Sequence, residues 1–399
     1  VDEEFTVFAV RGIAQHGLPV LPSGLLYDRG IAYSYAAWAA GAVTGSELPA
    51  FRAVSLFSAA LGVLLTFFLV RRVAGDTAAL TASGLLLLSV PFWATATSAR
   101  FYAPFLGACL LTLYFLTHRH WWIGLIAAAA LARLTHELAF TLAMIPAICW
   151  LVAKGERRFW FLMTLSVIGG LVIGQGVLLA FHYAAPASGE TMVRRFFLWQ
   201  VLNLFERPGD RQFGIAFVVL LVGVLLAPRR KALWIVGTLS AAAMIIAYSI
   251  ARASNSAPLS VDLVTTTLQE GSRYPLDMFW HIACTTPLTL ALAVGGLVLR
   301  AAGVAGEWRP AERAAHLLWI GWVLWFGVIE SGITTNYLLL PISFMLIAVA
   351  IDAAALIARF SDSAEAAAFD RKAVVLRAAV CALLVVAVAL DQWRGEGSI

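Results

Sequence analysis

Long uninterrupted apolar segments constrain this chain more than any other feature. They recur between residues 54 and 390, and they run for roughly 15–22 residues, the length at which an α-helix crosses the core of a bilayer. They lack the alternation of apolar and polar residues that marks the strands of a membrane barrel. Because every backbone polar group must find a partner within lipid, these segments predict transmembrane helices.

The composition agrees with a membrane location. The chain has 399 residues, of which 61% are hydrophobic and 13% are charged, whereas a soluble domain carries about 25% charged residues. The net charge of +5 is modest, and no basic run is interleaved with aromatic residues outside the membrane caps, so no nucleic-acid partner is expected. The four cysteines lie inside apolar runs, which favours buried thiols over disulfides or metal ligands. We therefore predict an all-α fold, a polytopic transmembrane helical bundle surrounded by membrane lipids.

Residues 1–53 differ from the rest because they mix charged residues, proline and glycine. Two amphipathic stretches, near 3–16 and 31–43, predict helices that lie in the membrane interface, with Tyr33 and Trp38 among their anchors. We interpret this part as an extracytoplasmic loop with an outer-face amphipathic-helix segment.

Residues 54–399 predict a transmembrane domain of about twelve spans. The spans are expected near 54–70, 77–95, 103–117, 121–133, 138–152, 160–182, 213–228, 233–251, 283–299, 316–330, 335–358 and 374–390. Since position 1 is Val rather than Met, we expect one further span before residue 1.

Basic residues set the expected orientation, because short cytoplasmic connections carry an excess of Arg and Lys. Dense basic groups such as Arg71–Arg72 and Arg229–Lys231 then face the cytoplasm, and residues 1–53 lie outside. The outer connections carry arginines but no lysine. A single outer Arg is equally well explained by snorkelling, but the set indicates an anionic lipid or a phosphate-bearing substrate, which Arg binds in a bidentate way.

Polar residues from distant parts of the chain reach the same predicted outer depth, which suggests one shared cavity. They are Asp2, Glu3, Tyr27, Arg29, Arg100, Tyr102, His136, Glu137, Arg273, Asn336 and Tyr337. Acids at a helix start are commonly explained by the helix dipole, but a carboxylate at a membrane exit can also accept a proton from a hydroxyl. A His–Glu pair between apolar runs is costly unless it is used or paired, and no second His at helical spacing makes it a zinc motif.

These residues resemble the membrane glycosyltransferases of the GT-C type. The similarity is to the branch that contains protein O-mannosyltransferases, lipid A aminoarabinose transferases and rhizobial-type lipopolysaccharide sugar transferases. It rests on the order of short motifs along the whole chain. They are Asp2-Glu3, Gly17-Leu18-Pro19, Tyr27-Asp28-Arg29-Gly30, Arg71-Arg72, Leu134-Thr135-His136 and Asn336-Tyr337-Leu338-Leu339-Leu340-Pro341.

The resemblance implies a GT-C-like bundle in the bacterial inner membrane, with its active site on the extracytoplasmic side. It implies transfer of a sugar from a polyprenyl-phosphate donor to a glycan, lipid or protein acceptor, with inversion. Asp2 and Glu3 would be catalytic, Arg29, Arg100 and Arg273 would bind the donor phosphate, and the remaining outer polar residues would line the pocket. No cofactor is implied, and a divalent metal is compatible but not required.

Three departures from the family pattern leave other functions open. An Arg stands at position 29 where the aminoarabinose transferases have Lys, the stretch after Tyr102 lacks a second Asp, and Asn336 replaces a late Arg. The alternatives are a non-catalytic GT-C-like subunit of a larger complex and a transporter of lipid-linked sugars, although the paired half-repeats of many transporters are not evident.

Overall fold

The computed structural model describes residues 2–118, 121–152, 156–185, 282, 285–301, 315–323, 338–363 and 371–395. The chain divides into two compact units, and the first comprises Val1–Ser188, His281–Trp322 and Thr334–Ile399. The second unit, Gly189–Trp280 and Val323–Ile333, falls almost wholly outside the described residues. The predicted spans at 213–228 and 233–251 lie there and stay predictions.

The described part of the first unit is helical, and its only pairing between extended segments is an isolated bridge between Val20 and Leu26. The helices are α1 (Asp2–His16), α2 (Ile31–Thr44), α3 (Leu48–Ala74), α4 (Asp76–Leu87), α5 (Val90–Ala96), α6 (Tyr102–Leu116), α7 (Trp122–Thr135), a 3-10 helix (Glu137–Ala143), α8 (Met144–Val152), α9 (Arg157–Ala184), α10 (Pro287–Ala301), α11 (315–323), α12 (Leu339–Ser363) and α13 (Arg371–Gly395). The prediction of an all-α membrane bundle is confirmed.

Within the described residues, three helices are long and apolar enough to cross a membrane: α3, α9 and the first twenty residues of α12, Leu339–Ala358. A fourth span is formed if α4 and α5 are counted together, because they are bent by 63° at a short break. Pro91 is the second residue of α5, and proline is tolerated in the first turn of a helix but not in its interior. The expected span at 77–95 is therefore a broken one, and the count of about twelve stays a prediction.

Close packing of α7 against α9 depends on two glycines one turn apart. At Gly170 a Cβ atom would collide with the carbonyl of Ile126, and at Gly174 it would lie 2.8 Å from the carbonyl of Ala130. Small residues spaced by four let helix backbones approach in membranes. This contact holds the end of α7 beside the end of α9, where several polar side chains gather.

The first 53 residues form helices at both stretches for which amphipathic helices are predicted. Between α1 and α2 the chain folds back so closely on α1 that a Cβ atom at Gly12 would collide with the carbonyl of Val20. Val20 also packs with Leu26, Ile31 and Leu178 in one apolar cluster. The cluster fixes the loop that follows Leu26 against the end of α9. Trp38 is partly exposed, as expected for an anchor, whereas Tyr33 is buried.

A buried polar network joins α11 to α12. His316 Nε2 lies 2.9 Å from Asp352 Oδ2, and the indole N–H of Trp319 donates to His316 Nδ1 at 3.1 Å. Since Nδ1 accepts a hydrogen bond, the proton of the neutral ring is on Nε2. The Nε2–H group then donates a hydrogen bond to Asp352. Gly296 of α10 packs against this carboxylate and leaves no room for a side chain. The sequence analysis does not anticipate this network.

Candidate active site

Glu3 ties the start of α1 to two distant parts of the chain. Its Oε2 accepts a hydrogen bond from Arg52 Nη2 at 2.8 Å, and its Oε1 accepts from Arg52 Nε at 3.2 Å. The same Oε1 accepts from the backbone N–H of Ala99 at 2.6 Å. The hydrogen bonds from Arg52 are the main cause that lowers the pKa of the Glu3 carboxyl below its ordinary value. Glu3 is thus an ionised clamp between α1, α3 and the segment before α6.

That segment, residues 97–101, is called the Arg100 turn below. Arg100 is buried, with only 6% of its surface exposed. Its Nη1 donates to the hydroxyl of Tyr27 at 3.4 Å, and its guanidinium carbon lies 5.1 Å from the ring centre of Phe101 and 5.6 Å from that of Tyr102. A buried guanidinium between aromatic rings is a strong partner for an anion, because the surroundings screen its charge poorly.

Tyr33 and Ser55 hold the Arg100 turn in place from behind. Ser55 Oγ lies 3.1 Å from the Arg100 carbonyl and 3.1 Å from the Tyr33 hydroxyl, which donates to the Phe51 carbonyl at 2.9 Å. All of these groups are buried, and burial raises the pKa of the Tyr33 phenol. The chain of hydrogen bonds joins α2, α3 and the Arg100 turn, so the position of Arg100 depends on three elements.

The loop before α2 brings Tyr27, Asp28 and Arg29 to the same end of the bundle. The Tyr27 ring stacks on Phe5 of α1, with 6.2 Å between ring centres. The Asp28 carboxylate lies 3.5 Å from His182 Nε2 near the end of α9. Gly30, the N-cap residue of α2, has a φ of 73° and lies in the left-handed region of backbone conformation. The loop is anchored to α1 at one side and to α9 at the other.

His136 is buried at the junction between α7 and the 3-10 helix, outside the predicted spans. Its ring lies 5.2 Å from the centre of Phe101, 6.2 Å from Tyr102 and 5.1 Å from Phe105. The backbone N–H of Leu138 donates to its Nδ1 at 3.1 Å, so the neutral ring carries its proton on Nε2. Within the part of the chain that the structure describes, Nε2 has no hydrogen-bond partner.

Several charged side chains act on His136 through their electric field. Burial is the main cause that holds its pKa well below the ordinary value near 6.5, and the charges of Arg29, Arg133 and Arg100 act in the same direction. Arg133 itself donates to Gln175 of α9, with 2.9 Å between Nε and Oε1. His136 is therefore neutral, and it belongs to a region of positive potential.

The structure brings together five of the residues proposed from sequence. They are Glu3, Tyr27, Arg100, Tyr102 and His136, and we call them the acid–arginine cluster. Arg29 lies near enough to act on His136 through its charge. Asp2 begins α1 and Glu137 begins the 3-10 helix, but their side chains are outside the described part. Arg273, Asn336 and Tyr337 also lie outside the described residues.

Some contributors are not among the site residues predicted from sequence. Arg52 and Ser55 belong to the family resemblance, as an Arg followed by a helix of small residues, but carry no predicted role, and Gln175 and His182 lie inside or at the end of a span. Their pairing with Glu3, Arg100, Arg133 and Asp28 joins residues that are at least 42 positions apart in every case. Polar side chains within apolar segments are the signal that could have identified them.

Among the described residues, no group of three or more His, Cys, Asp or Glu side chains is arranged to hold a metal ion. Because the side chains of Asp2 and Glu137 are not described, the metal dependence of the site stays open to experiment.

Two solved structures share the fold of this chain. The apo oligosaccharyltransferase of Archaeoglobus fulgidus matches with a TM-score of 0.57 and 13% identity, over 98% of this chain and 51% of that one. The archaeal oligosaccharyltransferase AglB from Archaeoglobus fulgidus, in complex with an inhibitory peptide and a dolichol-phosphate, matches with a TM-score of 0.53 and 12% identity over the same shares. The present chain therefore spans about half the length of these proteins.

A protein-family model matches part of the chain. Residues 28–181 match the model described as dolichyl-phosphate-mannose-protein mannosyltransferase, a region that includes Arg29, Arg100 and His136 but less than half of the chain. ArnT from Cupriavidus metallidurans in the apo state is also similar, with a TM-score of 0.42 and 14% identity over 90% of this chain and 74% of that one. No curated protein sequence matches the chain. The partial family match and the shared fold agree with the GT-C type membrane fold predicted from sequence, and the transferase activity is taken up as a proposal below.

Proposed function

We propose that the chain transfers a sugar from a polyprenyl-phosphate-linked donor to an acceptor hydroxyl of a glycan, lipid or protein, with inversion at the anomeric carbon. The reaction takes place at the extracytoplasmic face of the bacterial inner membrane. One observation carries the proposal: the hydrogen bond from Ala99 to Glu3 holds the acidic start of α1 beside the Arg100 turn. An acid and a guanidinium from distant parts of the chain thus share one end of the bundle, as transfer from a phosphate-linked donor requires.

The two acids have different roles in this proposal. Both oxygens of Glu3 already accept hydrogen bonds, and the pKa of Glu3 is lowered, so Glu3 is a weak base and serves to position α1. Asp2, its neighbour, then takes the proton of the attacking hydroxyl. The hydroxyl oxygen forms a bond to the anomeric carbon while the bond to the donor phosphate breaks, and the phosphate leaves with the electron pair.

The leaving phosphate needs cations rather than a proton donor. Arg29 and Arg100 supply them, and Arg273 stays a third candidate predicted from sequence; preorganised charge in a water-poor site stabilises a developing anion more strongly than the same charge in water. Loss of one such contact raises the barrier by about 2.7–4 kcal/mol. Tyr27 and Tyr102 flank Arg100 and would shape the phosphate pocket.

The other pocket residues would contact the sugar or the acceptor. His136, which is neutral and protonated on Nε2, would present an N–H donor without adding charge. Glu137, Asn336 and Tyr337 stay further candidates for the pocket lining, as predicted from sequence.

The comparisons support a polyprenyl-phosphate donor by analogy. The similar AglB structure holds a dolichol-phosphate, and the matching family model is named for transfer from dolichyl-phosphate-mannose. Both lipids are polyprenyl-phosphate derivatives. A likeness of this kind suggests the class of donor, whereas the sugar and the acceptor must come from experiment.

The proposal is tested by incubating the purified full chain with a panel of polyprenyl-phosphate sugars and a detergent extract of cell envelope. We expect one donor to release free polyprenyl phosphate while its sugar appears on an envelope acceptor with the opposite anomeric configuration, as read by mass spectrometry and NMR. Binding of donor without release from any member of the panel would favour the non-catalytic subunit, and movement of intact donor across vesicles would favour the transporter.

The arginine assignment has its own test. Arg29→Ala is expected to weaken donor binding more than Arg29→Lys does, because lysine keeps the charge but loses the bidentate geometry. Equal effects of the two variants on the donor Kd would argue against a bidentate phosphate contact at this position.

A further inference from the structure

A cavity lies at the end of the bundle opposite the acid–arginine cluster. It has a volume of about 410 Å³ and lies between the ends of α3 and α6, the start of α9, and parts of α8, α11 and α12. On α3 it begins at Leu69, fourteen residues after Ser55, which contacts the Arg100 turn. At about 1.5 Å per residue, this separates the two sites by roughly 21 Å.

The walls of this cavity are apolar, whereas its polar residues gather at the helix ends. The interior is lined by Leu113, Leu116, Ile145, Phe344 and Ile347, among others. The polar lining residues are Arg72 near the end of α3, Thr117 at the end of α6, and Glu156 and Trp160 at the start of α9. The cavity therefore has an apolar interior and a polar rim at one end, which is the form of a site for an amphiphile.

One donor at the rim lacks a partner. The indole Nε1 of Trp160 is buried and makes no hydrogen bond within the described part of the chain. A buried N–H that has lost water without gaining a partner costs free energy, and a bound acceptor would satisfy it. Arg72 uses Nε to donate to the Thr117 carbonyl at 3.1 Å, an arrangement that orients its guanidinium at the same rim.

The charges around the rim favour an anion. Arg71, Arg72, Arg157 and Arg158 lie at these helix ends, against the acids Asp76, which pairs with Arg71 at 2.6 Å, and Glu156. The start of α9 adds the positive end of a helix dipole. The apolar part of the cavity is not deep. Along α12 its lining runs from Phe344 to Ile351, seven helical steps or about 10 Å. This depth suits part of an acyl chain better than a long polyprenyl chain.

We propose that this cavity holds one acyl chain of an anionic membrane phospholipid, whose headgroup oxygens accept hydrogen bonds from Trp160 Nε1 and from Arg72. The site is separate from the acid–arginine cluster and does not depend on the proposed transfer reaction. A bound lipid there would fill the apolar interior between α3, α6, α9 and α12 and would stabilise their packing.

The test uses the full chain in nanodiscs with phosphatidylglycerol that carries a photoreactive diazirine in one acyl chain. We expect adducts on cavity residues such as Leu113, Ile145 and Phe344, at a yield at least about threefold above that of the matching phosphatidylcholine probe. Trp160→Phe keeps an aromatic ring and removes the N–H, so the phosphatidylglycerol yield should fall about threefold to tenfold, as expected for the net contribution of one ordinary hydrogen bond. Trp150→Phe, at an exposed tryptophan on α8 outside the cavity, is the matched control and should leave the yield unchanged.

Arg72→Gln is the second variant, and it should bring the phosphatidylglycerol yield close to that of phosphatidylcholine even if Trp160→Phe is poorly folded. Equal labelling by the two probes, adducts confined to the exposed outer helix faces, or unchanged yields in both variants would overturn the proposal. Displacement of the probe by polyprenyl phosphate but not by unlabelled phosphatidylglycerol would also overturn it. Since the assay contains no sugar donor, its failure leaves the proposed function untouched.

Discussion

Gly30 lies against the ring of Phe101 so closely that a Cβ atom at Gly30 would be 2.7 Å from the Cβ atom of Phe101. This contact presses the loop that carries Tyr27 and Arg29 onto the Arg100 turn. The two candidate phosphate-binding segments are far apart in sequence. They can approach closely because glycine has no side chain at position 30.

Gly30→Ala should therefore disrupt the candidate site and destabilise the fold. Its φ of 73° is unfavourable for alanine by about 1–2 kcal/mol, and the clash with Phe101 adds to that cost. Gly45→Ala is the matched control, because Gly45 has a φ of 68° but no atom within 4 Å of a new Cβ. Thermal unfolding in detergent should show a larger loss of Tm for Gly30→Ala, together with weaker donor binding. Equal effects of the two variants would contradict the importance of the Phe101 contact.

The clamp formed by Glu3 predicts a pH dependence of stability. Because the folded-state pKa of Glu3 lies below its ordinary value of 4.5, the stabilisation is complete above the unfolded pKa and is lost as pH falls through the folded pKa. For a partly exposed pair we expect about 0.5–1 kcal/mol. Glu3→Gln should lower the Tm at pH 7, and the difference from the wild type should shrink as the pH is taken progressively below 4.5. Glu4→Gln, at the exposed neighbouring residue, should do neither.

His136 predicts a second effect in a different pH range. Its folded-state pKa lies well below its unfolded value near 6.5, so the unfolded state binds more protons and stability falls as pH drops below 6.5. The slope is at most about 1.4 kcal/mol per pH unit. His136→Phe should flatten the curve of Tm against pH between 6.5 and 5, where Glu3 contributes little. An unchanged slope in that range would show that His136 is not buried in its neutral form.

The network of His316, Trp319 and Asp352 predicts a distinction between two substitutions at one position. Asp352→Asn keeps an oxygen that accepts from His316 Nε2, whereas Asp352→Leu removes this acceptor. The second variant should cost about 1–3 kcal/mol more than the first. Thermal unfolding of both variants measures the difference. If Asp352→Leu were as stable as Asp352→Asn, the hydrogen bond would contribute nothing to the packing of α11 on α12.

The class of fold could be predicted because long apolar segments have few ways to satisfy their backbones in lipid. The break between α4 and α5 was not predicted, although Pro91 was visible, because a proline within an apolar run is also compatible with a kinked continuous helix. The pairing of Glu3 with Arg52 could not be read from the sequence, since many outer arginines were equally available. The partner is chosen by how α1 packs on α3, and that depends on contacts across the whole bundle.

The sequence indicates which residues come together better than it indicates what each of them does. Common depth at the outer helix ends selected Tyr27, Arg100, Tyr102 and His136, which the structure brings together. Depth alone did not separate a catalytic acid from a positioning one, because that distinction depends on which oxygens already accept hydrogen bonds. The amphipathic pattern places Tyr33 at the membrane interface, whereas in the structure its hydroxyl donates to the carbonyl of Phe51 inside the protein.

Turnover by Asp2→Asn in purified form is the most direct measurement of the central claim, that an acid at the start of α1 acts on a donor held by arginines. We expect donor binding close to that of the wild type, because asparagine keeps the size of the side chain, and sugar transfer reduced to background. Glu4→Gln should retain full transfer in the same assay. Near-normal transfer by Asp2→Asn would contradict the account.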